Sequence, residues 1–413
     1  MSDFLPYGRQ LIEDDDVEAV IDALRSDYLT TGPRVDAFER ALAETVDAPY
    51  AVSCSSATAG LHLATLAVGL GPGDVAIVPT VTFLATANAV RLTGADVLFA
   101  DVDPATGLMR VEDLAAALER APDRKAVKAV LPVHLTGQRC DGGAINRLAR
   151  AEGLKIIEDA AHSVGGAFTD DEGRERWIGD CLDADACVFS FHPVKTIAMG
   201  EGGAVTTRDP ELATQLQMIR SHGMTRDAAR FENPEQAFEQ DGAAAPWYYE
   251  MHRLGLNYRV TDLQCALGLS QLAKLDRFVE RRRSLCARYD ALTPALAPLA
   301  VPIERTPGCR PAWHLYVLLI DFERAGVERG ALMRAMAAEG LGTQVHYIPV
   351  HRQPYYRRLY GPQTLPGADA YYARCLSLPL HPGMRDDDPA RVVAALERLL
   401  GAEAARTTGG ASR

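Results

Sequence analysis

The chain of 413 residues has little cysteine. Its eight cysteines form no Cys-x-x-Cys pair, and the nearest two, Cys181 and Cys187, are six apart. A zinc or disulfide framework is therefore not expected, and reduced thiols in a cytoplasm are. No apolar run reaches the roughly 18 residues that a membrane helix needs. The start, Met1-Ser2-Asp3-Phe4, lacks the basic and apolar regions of a secretory signal. Positive charge is short as well. Lys plus Arg total 43 against 55 Asp plus Glu, a net charge of −12. That balance argues against a nucleic acid polymer as partner, because such binding needs a basic surface. No G-x-x-x-x-G-K-[ST] loop is present and no G-x-G-x-x-G follows the first strand, so neither an NTPase nor a dinucleotide enzyme is supported. Nothing suggests a metal site.

What is present is an ordinary globular composition, 47% hydrophobic and 24% charged. At about 150 residues per domain the length suggests two to three domains. Val17, Val20, Ile21 and Leu24 recur at helical spacing, as do Val35, Phe38, Leu42 and Val46. Short apolar runs then predict strands at 50–53, 75–78, 97–100, 127–133, 155–159, 187–190 and 204–207. Helical stretches at 57–68, 111–120 and 142–151 separate several of them. Such alternation predicts a mainly parallel sheet with helices on both faces. Residues 223–255 read as a long polar loop. One long helix is expected over 262–289, carrying Arg281-Arg282-Arg283. Beyond it, strands at 314–320 and 343–347 and helices at 328–339 and 386–400 predict a smaller α+β domain. The expected division is a large domain over 1–260, a small domain over 261–406 and a disordered tail over 407–413.

Five segments carry chemistry. Phe189-Ser190-Phe-His-Pro-Val-Lys195 places a lysine five residues past a buried strand, before the turn Gly200-Glu-Gly-Gly203. A lysine there can act as a Schiff-base amine if its pKa is lowered, although a lone lysine in a βα loop is usually a surface residue. Ile156-Ile-Glu158-Asp159-Ala-Ala-His162 ends an apolar strand on a carboxylate, which suits the ring nitrogen of a pyridine cofactor or a helix N-cap. His162 lies one turn on. Ser53-Cys-Ser-Ser-Ala57-Thr58 joins a strand to a helix, where free N–H groups can hold a phosphate and where a simple Ser cap is also common. Phe83, just past a strand, can stack on a flat ring or fill a core. Asn257-Tyr-Arg259 precedes the long helix and offers phosphate-binding side chains.

In this order the five segments resemble the DegT/DnrJ/EryC/StrS sugar aminotransferases, fold type I enzymes that use pyridoxal 5'-phosphate (PLP). The resemblance spans about residues 4–401. It implies that Lys195 carries the cofactor and then shuttles the proton, that Asp159 pairs the pyridine nitrogen and that His162 lies beside the ring. It implies that the Ala57 and Thr58 N–H groups and the Ser190 hydroxyl hold the phosphate, and that Phe83 stacks. Asn257 would reach the phosphate of a second subunit, giving a homodimer with shared active sites. Some members replace the lysine by histidine and become dehydratases, so Lys195 points to transamination.

Further segments resemble the transaminases of the pseudaminic acid pathway: Leu5-Pro-Tyr7-Gly-Arg9, Arg220-Ser-His-Gly-Met-Thr-Arg226, Trp247-Tyr-Tyr-Glu250, Gln264–Ser270 and Gln344-Val-His346-Tyr347-Ile-Pro-Val-His351. They imply L-glutamate as donor and a UDP-linked 4-keto-6-deoxy-N-acetyl-hexosamine as acceptor. The product would be UDP-4-amino-4,6-dideoxy-N-acetyl-β-L-altrosamine. Substrate contacts would come from Tyr7, the turn Asp27-Tyr28-Leu29-Thr30, Gln344, His346 and Tyr347. Arg226, Arg259 and His346 would neutralise the anionic substrates, whereas Arg230 reads as an ordinary surface charge. One departure, Ile197-Ala-Met199 before Gly200, suggests that Met199 alters the pocket near the lysine.

Overall fold

The computed structural model describes residues 4–409, and the side chains of 4–401. Its scaffold forms where short runs of β-branched and small apolar residues are buried on both faces. The first strands are β1 (Tyr50–Cys54), β2 (Val75–Pro79), β3 (Asp96–Ala100), β4 (Val127–Val130) and β5 (Lys155–Asp159). A small hairpin, β6 (Ala167–Thr169) and β7 (Glu175–Trp177), precedes β8 (Ala186–Ser190) and β9 (Gly203–Thr207). Seven of these make one sheet in the order β1-β9-β8-β5-β4-β2-β3. β9 runs antiparallel to both neighbours, and the other contacts are parallel. The sheet is therefore mainly parallel, as expected. All five residues of β8 and of β9 are buried. Helices Ala57–Ala67, Leu84–Leu92, Val111–Arg120, Gly142–Ala151 and Pro210–Arg220 surround it.

The segment 223–255 is irregular apart from a two-residue ladder, β10 (Met224–Thr225) with β11 (Glu250–Met251), and short helical turns. β12 (Ala300–Pro302) follows, and β13 (Cys309–Arg310) pairs back onto β6. β14 (Tyr316–Ile320) lies between β12 and β15 (Cys375–Leu378) in an antiparallel sheet. Leu318, Ile320, Leu376 and Leu378 of that sheet pack with Leu285 and Tyr289 in a separate core.

The structure corrects two elements. The helix expected over 262–289 is two, Asp262–Leu272 and Leu275–Leu292. At the break the Lys274 ammonium is drawn to Asp15 at 2.6 Å and Asp16 at 2.8 Å on the N-terminal helix Asp14–Leu24. The strand expected over 343–347 does not form. Only Gln344 pairs, with Ser377, and the residues from Gln344 to Ile348 all line one cavity instead of alternating between two faces. The last helix, Asp388–Gly409, overlaps the start of the tail expected to be disordered, and 410–413 lie outside the described residues. Among the described residues no helix is long and apolar enough to cross a membrane.

Candidate active site

The carboxyl ends of β2, β5 and β8 and the turn after β1 converge on a cavity of about 610 Å³. Ligands of open α/β sheets bind at such strand ends, and the volume is that of a small-molecule site. A second cavity of about 580 Å³ is lined by Arg and Asp residues that pair with one another, for example Arg147 with Asp171 and Arg176 with Asp183.

Asp159 closes β5 and is buried. Its Oδ2 accepts the Thr86 hydroxyl at 2.7 Å and its Oδ1 the Ala161 N–H at 3.1 Å. Burial raises its pKa, while those two bonds and the Lys195 charge oppose the rise. Lys195 follows β8 on a turn in which its N–H meets the His192 carbonyl at 2.8 Å. Its Nζ lies 3.4 Å from His314 Nε2. Burial, helped by the charge of Arg282 and opposed by Asp159, pushes the Lys195 amine down to about 7. A lysine so placed is neutral for much of its time near physiological pH, which a nucleophile or proton carrier requires.

His162 ring Nδ1 accepts the Thr136 N–H at 3.2 Å, so the neutral ring carries its proton on Nε2, 3.2 Å from Tyr347 Oη. That ring lies 4.3 Å from the ring of His314, centroid to centroid. Burial and the Lys195 charge hold His162, His314 and His346 well below the usual histidine range. Among the buried ionisable side chains of this lining, Lys195 and Asp159 are the two not held neutral in this way.

At the other end Ser56 caps the helix Ala57–Ala67, accepting from the Ala59 N–H at 3.1 Å. The first-turn N–H groups of Ala57 and Thr58 have no partner within the helix and stand in the cavity wall. Close approach here depends on Gly203, where a Cβ would lie 2.5 Å from Ala57 N. Ser190 and Phe83 line the same wall, and Phe83 sits 5.9 Å from Tyr347, ring to ring.

Of the residues singled out from the sequence, the cofactor set Ala57, Thr58, Phe83, Asp159, His162, Ser190 and Lys195 surrounds this cavity. Tyr7, Gln344, His346 and Tyr347 line it too. Others stand outside the lining. Asp27, Tyr28, Leu29 and Thr30 are exposed, with the Leu29 carbonyl accepting the Asp262 N–H at 3.0 Å. Asn257 and Arg226 are exposed and Arg259 is half-buried. Arg230 pairs with Glu211 at 2.8 Å, the surface role expected of it. Met199 does not reach the pocket. It is buried in the core against Gly268, where a Cβ would lie 2.9 Å from its sulfur, so a small facing residue draws it inward. Sequence reasoning missed Thr86, His314 and Arg282. His314 was legible only as the first residue of an expected strand.

The sequence pattern of the DegT/DnrJ/EryC1/StrS aminotransferases matches residues 10–397. The chain belongs to that family. The spore coat polysaccharide biosynthesis protein SpsC of Bacillus subtilis (strain 168) is 40% identical over 400 residues, which cover 96% of this chain and 97% of SpsC. PseC of Helicobacter pylori, an aminotransferase of pseudaminic acid biosynthesis, superposes with a TM-score of 0.85 at 26% identity, covering 97% of this chain and all of PseC. The PLP form of Spr1654, a sugar aminotransferase of Streptococcus pneumoniae, does so at 0.83 and 25%, covering 97% and 99%.

The aminotransferases of this family are PLP-dependent, and PLP is the cofactor here. The residues present fit it. The lining offers a buried carboxylate of the kind a protonated ring nitrogen needs, an amine of lowered pKa, and a helix start bared by Gly203 whose N–H groups suit a phosphate.

Proposed function

We propose that the chain moves the amino group of L-glutamate to C4 of a UDP-linked 4-keto-6-deoxy-N-acetyl-hexosamine, giving UDP-4-amino-4,6-dideoxy-N-acetyl-β-L-altrosamine. The observation that carries this reading is the pairing of Lys195 and Asp159 in one cavity, with Tyr7, Gln344, His346 and Tyr347 lining the rest. The likeness to PseC supports the sugar.

When bound, PLP supplies an electron sink for charge developing on the carbon that bears the amino group. Asp159 keeps a negative charge for the ring nitrogen. Neutral Lys195 would take the proton from that carbon and deliver it to the carbon on the other side of the nitrogen, two atoms away, a short transfer by a held base. Ala57, Thr58 and Ser190 anchor the phosphate, and Phe83 and His162 border the ring. Two half-reactions share this one site, so ping-pong kinetics follow.

The working unit in this proposal is a homodimer in the cytoplasm. Leu254 (86% exposed), Trp247 (71%) and Met251 (64%) lie on the segment before Asn257, and apolar exposure of this kind suits a partner. A second copy would bring Asn257 to the phosphate, and Arg226, Arg259 and the turn 27–30 to the anionic substrates. The eight unpaired cysteines, seven of them buried, suit a reducing compartment.

The test is a panel of UDP-, dTDP- and GDP-linked 4-ketosugars with L-glutamate, read by mass spectrometry of the aminated product. Amination of the UDP sugar is expected, and turnover of none of them would overturn the proposal. A second reading, another nucleotide-linked ketosugar, is favoured by one observation. Identity to the polysaccharide protein SpsC, 40%, exceeds that to PseC, 26%. Preference for a dTDP or GDP sugar would select it.

A further inference from the structure

Arg282 is the middle of three consecutive arginines on the helix Leu275–Leu292. Its neighbours turn outward: Arg281 pairs with Asp386 at 2.6 Å, and Arg283 donates to the Pro311 carbonyl at 3.0 Å. Arg282 turns inward and is fully buried. Among the described residues it forms no ion pair. Its two Nη groups end on main-chain carbonyls, and its Nε is buried without a partner among the described residues. Nη1 lies 3.0 Å from Leu380 O, 3.3 Å from Trp313 O and 3.4 Å from His314 O, and Nη2 lies 3.3 Å from Lys195 O. One guanidinium thus ties together the Lys195 turn, the entry to β14 and the segment after β15.

A buried charge without a counter-charge is unfavourable, and neutral donors could bind carbonyls as well. What a guanidinium adds is a positive charge that acts on the two groups that meet, Lys195 Nζ and His314 Nε2. We propose, resting on the transaminase reading, that Arg282 is a positioning residue for Lys195. It fixes the backbones of Lys195 and His314 so that amine and imidazole stay in contact, and its unpaired charge disfavours a second positive charge on that amine.

The groups around the amine leave this role to Arg282. Asp159, from β5, favours the ammonium form. His162, His314 and His346 are held neutral by burial, and Tyr347 is pushed up by it. Burial of the amine is the largest influence on Lys195, and Arg282 is the cation that adds to it. In front of the amine, His314 Nε2 meets Nζ while its Nδ1 is buried without a partner. The ring is placed by its backbone, whose carbonyl meets Arg282 and whose N–H meets the Thr136 carbonyl at 2.8 Å, and by the His162 ring 4.3 Å away.

The test is competitive labelling of amines in the full chain before PLP is added, followed across pH by mass spectrometry. The chain has only four other lysines, Lys125, Lys128, Lys155 and Lys274, which serve as internal references. Arg282→Met removes the charge, and Lys195 labelling near neutral pH should fall by up to roughly fivefold, the change that a one-unit rise from about 7 gives, as the amine becomes harder to deprotonate. Arg282→Gln removes the charge but keeps a donor, and carries the same expectation if the Met variant does not fold. Arg282→Lys keeps the charge but cannot span four carbonyls. Its labelling curve should match that of the parent, while kcat of the PLP-loaded enzyme falls several-fold with KM little changed. Identical labelling curves in all variants, or equal shifts in the charged and neutral variants, would overturn the proposal. The labelling requires neither cofactor nor substrate. A chain that showed the shift but aminated no sugar would refute the proposed function and leave the positioning role standing.

Discussion

Thr86 Oγ1 donates to Asp159 Oδ2 at 2.7 Å, from the first turn of the helix Leu84–Leu92 to the end of β5. With the Ala161 N–H on Oδ1, each carboxylate oxygen takes one donor, which fixes the plane of the group and favours its charged form. Thr86→Val keeps the shape and removes one bond. A hydrogen bond to a charged group is worth about 1.5–3 kcal/mol, so PLP affinity should fall roughly tenfold or more. Titrating the cofactor-free protein with PLP by absorbance measures it, and an unchanged affinity would mean that the bond does not support the carboxylate.

On the opposite face of β5, Glu158 is buried with His134, Oε2 to Nε2 at 3.4 Å, and with Arg139 at 3.8 Å. Burial pushes the Glu158 pKa up, but the His134 and Arg139 charges win and hold it below the usual carboxylate range. His134 moves the other way and is raised, its interactions with Cys140 and then Glu158 together outweighing its burial. Glu158 therefore contributes stability above its ordinary pKa of 4.5, lost as pH falls through the lowered value. His134 contributes below its ordinary 6.5, lost as pH rises through the raised value. Removing one member of a buried pair costs about 3–5 kcal/mol. Glu158→Gln should lose about that much in denaturant unfolding, most between pH 4.5 and 6.5 where both contributions are complete. A flat difference across pH would contradict the pairing.

The Lys195 amine lies at about 7 and works in its neutral form. The rate of the L-glutamate half-reaction should therefore rise with pH through neutrality and level off above it. Stopped-flow absorbance measures this. A rate that stayed flat until the ordinary lysine range near 10.5 would show the amine to be unperturbed.

Local features of this fold were legible in the sequence. The strand Lys155–Asp159 and the helices Val111–Arg120 and Gly142–Ala151 have the bounds that their apolar patterns predict. The cavity lining was legible because its residues sit at or just past a strand end or at a helix start, positions that a sequence pattern marks. Pairings between distant segments were not. Lys195 and His314 are 119 residues apart, and Lys274 and Asp15 are 259 apart. No local pattern encodes the first contact or the helix break beside the second. Arg281, Arg282 and Arg283 are alike in the sequence, yet the 100° step between helical residues sends Arg282 alone into the core. Met199 read as a pocket residue because its neighbour in sequence is the glycine turn, while its neighbour in space is Gly268.

If Asn257 serves the phosphate site of a second copy, two defects in different chains should complement. Lys195→Ala and Asn257→Ala homodimers should each be impaired, and a mixed dimer holds one site with both residues intact. Co-expression should restore part of the activity, and sedimentation should give twice the chain mass of 44.7 kDa. A monomer with full activity would contradict the shared site.

The central claim is that Lys195 binds PLP and passes amino groups through it. The most direct measurement is the absorbance spectrum of the purified protein, before and after L-glutamate. The account predicts a yellow protein whose band shifts when glutamate is added, and no such band in Lys195→Ala. A colourless protein that PLP does not reconstitute, or a Lys195→Ala variant with the parent spectrum and the same shift, would contradict it.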